Sequence, residues 1–126
     1  MTAVISKRPG ASLRVAAGQF AAGEDWERNL AVCCELIARA EAAQVDLLVL
    51  PEGVLARFSE RRERICAAAQ HITGPFISAL QGVLAGCSVT VIVGIHEVSD
   101  QDRPYNTLVA LRGGEILQTY RKVHLY

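Results

Sequence analysis

Residues 45–50, VDLLVL, constrain the fold more than any other stretch of the chain. The run is apolar at every position but Asp46, so it offers no polar face, and Pro51 stops it. Runs of this length without alternation belong to strands covered on both sides, as in a sheet with helices on one face and another layer on the other. A second segment, SVTVIVGIHEV at 88–98, is rich in β-branched residues and predicts a central strand. Both runs fall far short of the ~18–20 apolar residues needed to cross a bilayer, so the first reading has no membrane insertion.

The segments between these runs have helical spacing. Trp26, Leu30, Cys33, Cys34, Ile37 and Ala40 recur at i, i+3/i+4 and i+7, predicting a helix over 26–43 with Asp25 as N-cap. Ser59 to His71 reads as an exposed helix with an apolar stripe of Ile65, Ala68, Ala69 and Ile72, broken by Gly74-Pro75. Pro75 suits the first turn of another helix, with Phe76, Ile77, Leu80, Val83 and Leu84 on its buried side and Gly86 as its stop. Leu13 to Gln19 reads as a short first strand. Residues 105–111 and 116–123 read as two strands joined by Arg112-Gly113-Gly114-Glu115, a tight hairpin with glycines for positive φ. The order β-α-β-α-α-β-β-β predicts an α/β chain with a mixed sheet and its helices on one face, preceded by a loose tail over 1–12.

Charge and cysteine content narrow the function. Thirteen basic residues balance thirteen acidic ones, so the chain lacks the basic footprint of a nucleic-acid binder. The N-terminus has neither an apolar h-region nor a small-residue cleavage site, and the expected location is the cytoplasm. Cys33, Cys34, Cys66 and Cys87 have no zinc-site spacing and read as reduced thiols acting as small hydrophobes. No metal or organic cofactor is expected.

Glu52 stands just beyond the carboxyl end of the apolar strand, behind a rigid proline. Ligands and catalytic groups gather at that edge of α/β sheets, and apolar surroundings there would desolvate a carboxylate and make it a better base. A solvated loop glutamate is the plainer alternative. Lys122, near the end of the last strand, shares a face with Tyr120, Gln118 and Ile116 by alternation, while Arg121 falls on the other with Leu117, Thr119 and Val123. An inward ammonium there needs a carboxylate or a developing anion, whereas a solvated strand lysine needs neither. His124 could serve as an acid/base group or ligand but fits a structural role as well, and His71 and His96 carry less weight. No G-x-G-x-x-G, P-loop or G-x-S-x-G occurs.

Taken together, VAAGQF at 15–20, the helix containing Asn29, DLLVLPEG at 46–53, GPF at 74–76, YNTLVAL at 105–111 and YRKVHLY at 120–126 resemble the N-terminal half of the nitrilase superfamily of carbon-nitrogen hydrolases. Within it the pattern looks most like bacterial amidases related to deaminated-glutathione amidase and ω-amidase. The resemblance covers residues 13–126 and implies an α-β-β-α sandwich, a small linear amide as substrate, a homodimer, and a Glu-Lys-Cys triad without cofactor. It places Glu52 at the general base and Lys122 at the lysine that stabilises the tetrahedral intermediate. In the family the nucleophilic cysteine follows the YRKxHL segment in a C-x-x-R-F-P-like stretch, and many members place a second glutamate before it. The chain stops at Tyr126, before both, and none of its four cysteines lies in such a context. The expectation is therefore a partial domain, inactive as it stands, whose sheet exposes apolar surface where a second sheet would lie.

Two readings of other classes stand beside the amidase half. One is a non-catalytic α/β association module or inactive derivative, which the coding sequence past Tyr126 would distinguish. The other is a flavodoxin-like binding domain, which requires a phosphate loop that the sequence lacks. The charges of Arg57 to Arg64 lie near the presumed site without fixing which amide they would meet.

Overall fold

A five-stranded mixed sheet organises the computed structural model, which describes residues 10–58 and 62–124. Its strands are β1 (Val15–Ala17), β2 (Leu47–Val49), β3 (Thr90–Glu97), β4 (Tyr105–Arg112) and β5 (Glu115–Arg121), in the spatial order of the chain. β1, β2 and β3 pair in parallel, and β3–β4 and β4–β5 pair antiparallel. The mixed sheet follows from the connections: helices return the chain for parallel neighbours, and Gly113 and Gly114, at φ +56° and +83°, close the antiparallel hairpin. The SVTVIVGIHEV segment is the central strand, as its composition predicts.

The helices are α1 (Trp26–Ala42), α2 (Arg62–Ala68) and α3 (Pro75–Leu84). Asp25 caps α1, its Oδ1 accepting from the amides of Glu27 (2.9 Å) and Arg28 (3.2 Å). At the other end of α1, Glu41 accepts from the Ser88 and Val89 amides and anchors the entry to β3. Those donors, Ser88 first, hold the Glu41 carboxyl below its ordinary pKa. Gly74, the residue before α3, has no side chain to cap with, and Gln70 Oε1 accepts the Phe76 amide instead (2.9 Å). Trp26 meets Phe76 edge to face, 6.5 Å between ring centres.

Alternation along β3 separates the two faces of the sheet. Val91, Val93 and Ile95, with Leu48, Val109 and Leu111, pack into one apolar core with Cys33, Ile37 and Ala40 of α1 and with Phe76, Ile77, Leu80 and Leu84 of α3. The opposite face holds Val15, Val49, Leu108 and Tyr120, all substantially exposed. Apolar surface on the face away from the helices is what the resemblance to half of a sandwich implies.

The elements differ in detail from the expectations. β1 and β2 are only three residues long, because the flanking residues leave the ladder for loops. The predicted start of the second helix at Ser59 lies outside the described residues, as do Leu125, Tyr126 and most of the 1–12 tail. None of α2 is fully buried, so its apolar stripe is a half-covered edge. Ile116 does not share a face with Lys122: a register shift between Ala110 and Leu111 sets Ile116 opposite Leu111 and against the core. No helix among the described residues is long and apolar enough to cross a membrane.

Candidate active site

Pro51 cannot donate a hydrogen bond, so the chain leaves the sheet after Leu50. The Leu50 amide still reaches Ile92 O (2.9 Å), and the ladder-like pairing resumes only where the Val54 amide reaches Gly94 O (3.1 Å). The loop between them carries Glu52 over β3. Gly94 makes this approach possible, since a Cβ there would stand 3.1 Å from Glu52 Cα. Behind the loop, the buried Asn29 of α1 ties it down: Nδ2 donates to Leu55 O (3.2 Å) and Gly23 O (2.9 Å), and Oδ1 accepts from the Gly23 amide (2.9 Å).

Lys122 arrives from the other end of the sheet. Its amide donates to Asn106 O (2.8 Å), extending the β4–β5 ladder one step beyond Arg121. Strand alternation sends Arg121 to the helix-covered face, where it pairs with the buried Glu97, and Lys122 to the face of Glu52. Lys122 Nζ lies 3.7 Å from Glu52 Oε1. Asn106 Nδ2 donates to that same oxygen at 2.5 Å. The two residues singled out in the sequence are thus brought together at the carboxyl end of the parallel strands, with an asparagine between them.

Beside the pair, Glu52, Gly53, Arg57, Phe58, Ile65 and His96 line a cleft of about 370 Å³. Burial holds His96 below the ordinary histidine pKa, against the opposing pull of the Glu52 charge. A neutral imidazole in the cleft wall can donate or accept a proton. On the far side of the pair, Lys122 borders a second cleft with Arg62, Arg103 and Tyr105.

The expected desolvation of Glu52 is not met: its side chain is 60% exposed against 35% for Lys122, because the apolar sheet supports the loop from below and leaves the carboxylate open above. His124 is exposed, and His71 does not line the Glu52 cleft. The cysteines divide by position. All four are free; Cys33 is buried, and burial pushes its thiol up to about 12, with Cys34 adding to the effect. Burial also raises Cys34, and burial with the nearby Glu41 raises Cys87. Cys66 is exposed rather than packed as a small hydrophobe, because it stands on the open side of α2. None of the four lines the Glu52 cleft. Among the described residues, no group of three or more His, Cys, Asp or Glu is gathered to hold a metal ion.

Asn106 and His96 were not singled out as site residues by the sequence. They are cross-strand partners, so strand alternation around Gly94 carried the signal once the pairing was known.

A mixed five-stranded sheet with helices packed on its apolar face is the fold that this chain shares with solved amidases. Residues 14–126 match the carbon-nitrogen hydrolase family, and the chain belongs to it. The deaminated glutathione amidase of Escherichia coli O157:H7 is 41% identical over 112 residues, covering 89% of this chain and 43% of that protein. The nitrilase and fragile histidine triad fusion protein of Drosophila melanogaster is 30% identical over 125 residues, 97% of this chain and 26% of that one. An amidase from Nesterenkonia sp. superposes with a TM-score of 0.78 at 25% identity, covering 99% of this chain and 48% of the other. The Caenorhabditis elegans NitFhit protein reaches a TM-score of 0.78 at 20% identity over 89% of this chain and 28% of its own, a likeness of fold alone. The chain spans less than half the length of these relatives.

Proposed function

We propose that these residues supply the base and the lysine of an amidase-type carbon-nitrogen hydrolase acting on a small linear amide. Glu52 takes the proton of a cysteine thiol, and the thiolate attacks the amide carbonyl. As the tetrahedral intermediate collapses, the proton passes to the departing nitrogen, and ammonia or an amine leaves a thioester. Water then attacks the thioester, giving its proton to Glu52, and the carboxylic acid departs as the thiol re-forms. Lys122 places fixed positive charge where the oxyanion develops in both steps. The observation that carries this reading is the 3.7 Å approach of Lys122 Nζ to Glu52 Oε1 at the carboxyl edge of β2.

The nucleophile is none of Cys33, Cys34, Cys66 and Cys87. In support, none of the four lines the Glu52 cleft; burial makes the thiols of Cys33, Cys34 and Cys87 harder to ionise, and Cys66, the exposed one, directs Sγ toward Asp102 O. On this reading the 126 residues alone do not turn over amides; the thiol, the second sheet and the rest of the substrate pocket come from another stretch of polypeptide. The same reading carries a cytoplasmic homodimer without cofactor. Similarity to a deaminated glutathione amidase supports an amide substrate. The test is ammonia release from simple amides by the 126-residue chain and by the product of its complete reading frame. Release by the latter alone supports the proposal, and release by the isolated chain overturns the assignment of the cysteines.

A second reading, a non-catalytic association module, is favoured by the exposed Val15, Val49, Leu108 and Tyr120 on the helix-free face. It predicts a reading frame that stops at Tyr126 and a chain that self-associates without hydrolysing amides.

A further inference from the structure

We propose that Asn106 is the positioning residue of the Glu52–Lys122 pair and that it assigns the two carboxylate oxygens of Glu52 different tasks. The inference rests on the reading of Glu52 as the base. Asn106 meets both members: its carbonyl accepts the Lys122 amide at 2.8 Å, and its Nδ2 donates to Glu52 Oε1 at 2.5 Å. One residue on a strand paired on both sides thus fixes the main chain of the lysine and the side chain of the glutamate in a single frame.

Glu52 needs such a frame. It stands on a loop, its side chain is 60% exposed, and a glutamate side chain left to itself samples several rotamers. Asn106 and Lys122 both address Oε1. Oε2 is thereby left to face the thiol and receive its proton. An asparagine suits this task better than the alternatives. Its amide donates without titrating, whereas an aspartate would repel the base and a second cation against it would weaken it as a proton acceptor. The ladder hydrogen bonds of residue 106 are made by its main chain, so replacing the side chain leaves the strand intact.

The test compares wild type, Asn106→Ala, Asn106→Asp and Glu52→Gln in the product of the complete reading frame, following ammonia release from a simple amide. The expected result is a fall in kcat of about 100-fold for both Asn106 variants, as for misplaced catalytic groups, with KM within about threefold of wild type. Melting curves should be unchanged, and in the 126-residue chain Glu52→Gln should move the Asn106 side-chain amide resonances. Asn106 variants with kcat within about threefold of wild type beside an inactive Glu52→Gln overturn the inference and leave Glu52 as the base. A Glu52→Gln variant that keeps full activity removes the base and the inference together. Loss of the far-UV signal in step with kcat makes Asn106 a structural residue and overturns its positioning role.

Discussion

Arg121 grips Glu97 with two charge-assisted hydrogen bonds, Nε to Oε2 at 2.9 Å and Nη2 to Oε1 at 2.8 Å. The carboxylate is buried and takes a third bond from Thr107 Oγ1 at 2.7 Å, while the guanidinium lies over the Tyr105 ring at 4.1 Å. This pair lies on the opposite face of the sheet from Lys122 and fixes the last strand one residue before it. The end of β5 is therefore held from below while the lysine reaches above.

The pair gives the fold an acid-sensitive element. The Arg121 hydrogen bonds, ahead of the bond from Thr107, hold the Glu97 carboxyl below its ordinary value of 4.5. A carboxyl depressed by folding contributes stability that is full above its unfolded pKa and is lost as pH falls through the folded one. Chemical unfolding of the chain should show stability declining below about pH 4.5, and Glu97→Gln should flatten that decline. Arg121→Ala should destabilise at neutral pH, because it strips the buried carboxylate of its cation.

Asn29 joins α1 to the loops on either side of the site through three hydrogen bonds. Asn29→Leu leaves the Gly23 amide and two carbonyls without their partner in a buried place. The expected cost is about 3 kcal/mol, read as a drop of about 10 °C in Tm.

Gly94 should be intolerant of a side chain for reasons of geometry more than stability. An alanine Cβ would press on the Glu52 main chain at 3.1 Å. The loop must then shift by a few tenths of an ångström, enough to lower amide turnover by about 10- to 100-fold in the product of the complete reading frame. In the 126-residue chain, backbone amide shifts at Glu52 and Gly53 report the same displacement.

The sequence made the fold legible wherever a local rule dominates. Asp25 before an amphipathic run, Pro75 at a helix start and paired glycines between strands are read from neighbours alone, and each stands where it was expected. Glu52 and Lys122 were named through the resemblance carried by DLLVLPEG and YRKVHLY, since strand-end position alone left each a solvated alternative, and the fold brings their side chains to 3.7 Å. What escaped depends on registers that no local pattern encodes. The shift at Ala110/Leu111 moved Ile116 to the core face, and the pairing of β3 with β4 brought Asn106 and His96 to the site. The sequence left the exposure of Glu52 open between a desolvated and a solvated carboxylate, because exposure depends on what lies above the sheet; the structure has it 60% exposed.

Joint action of Glu52 and Lys122 on an amide is the proposal on which the function turns. It is tested most directly by ammonia release from a small linear amide, comparing the product of the complete reading frame with its Glu52→Gln and Lys122→Ala variants at equal folded concentration. Steady release by the wild type and a loss of at least about 1,000-fold in each variant are expected, as when a base or an oxyanion partner is removed. Release at the wild-type rate by either variant, or no release by a folded wild type on any simple amide, would contradict the proposal.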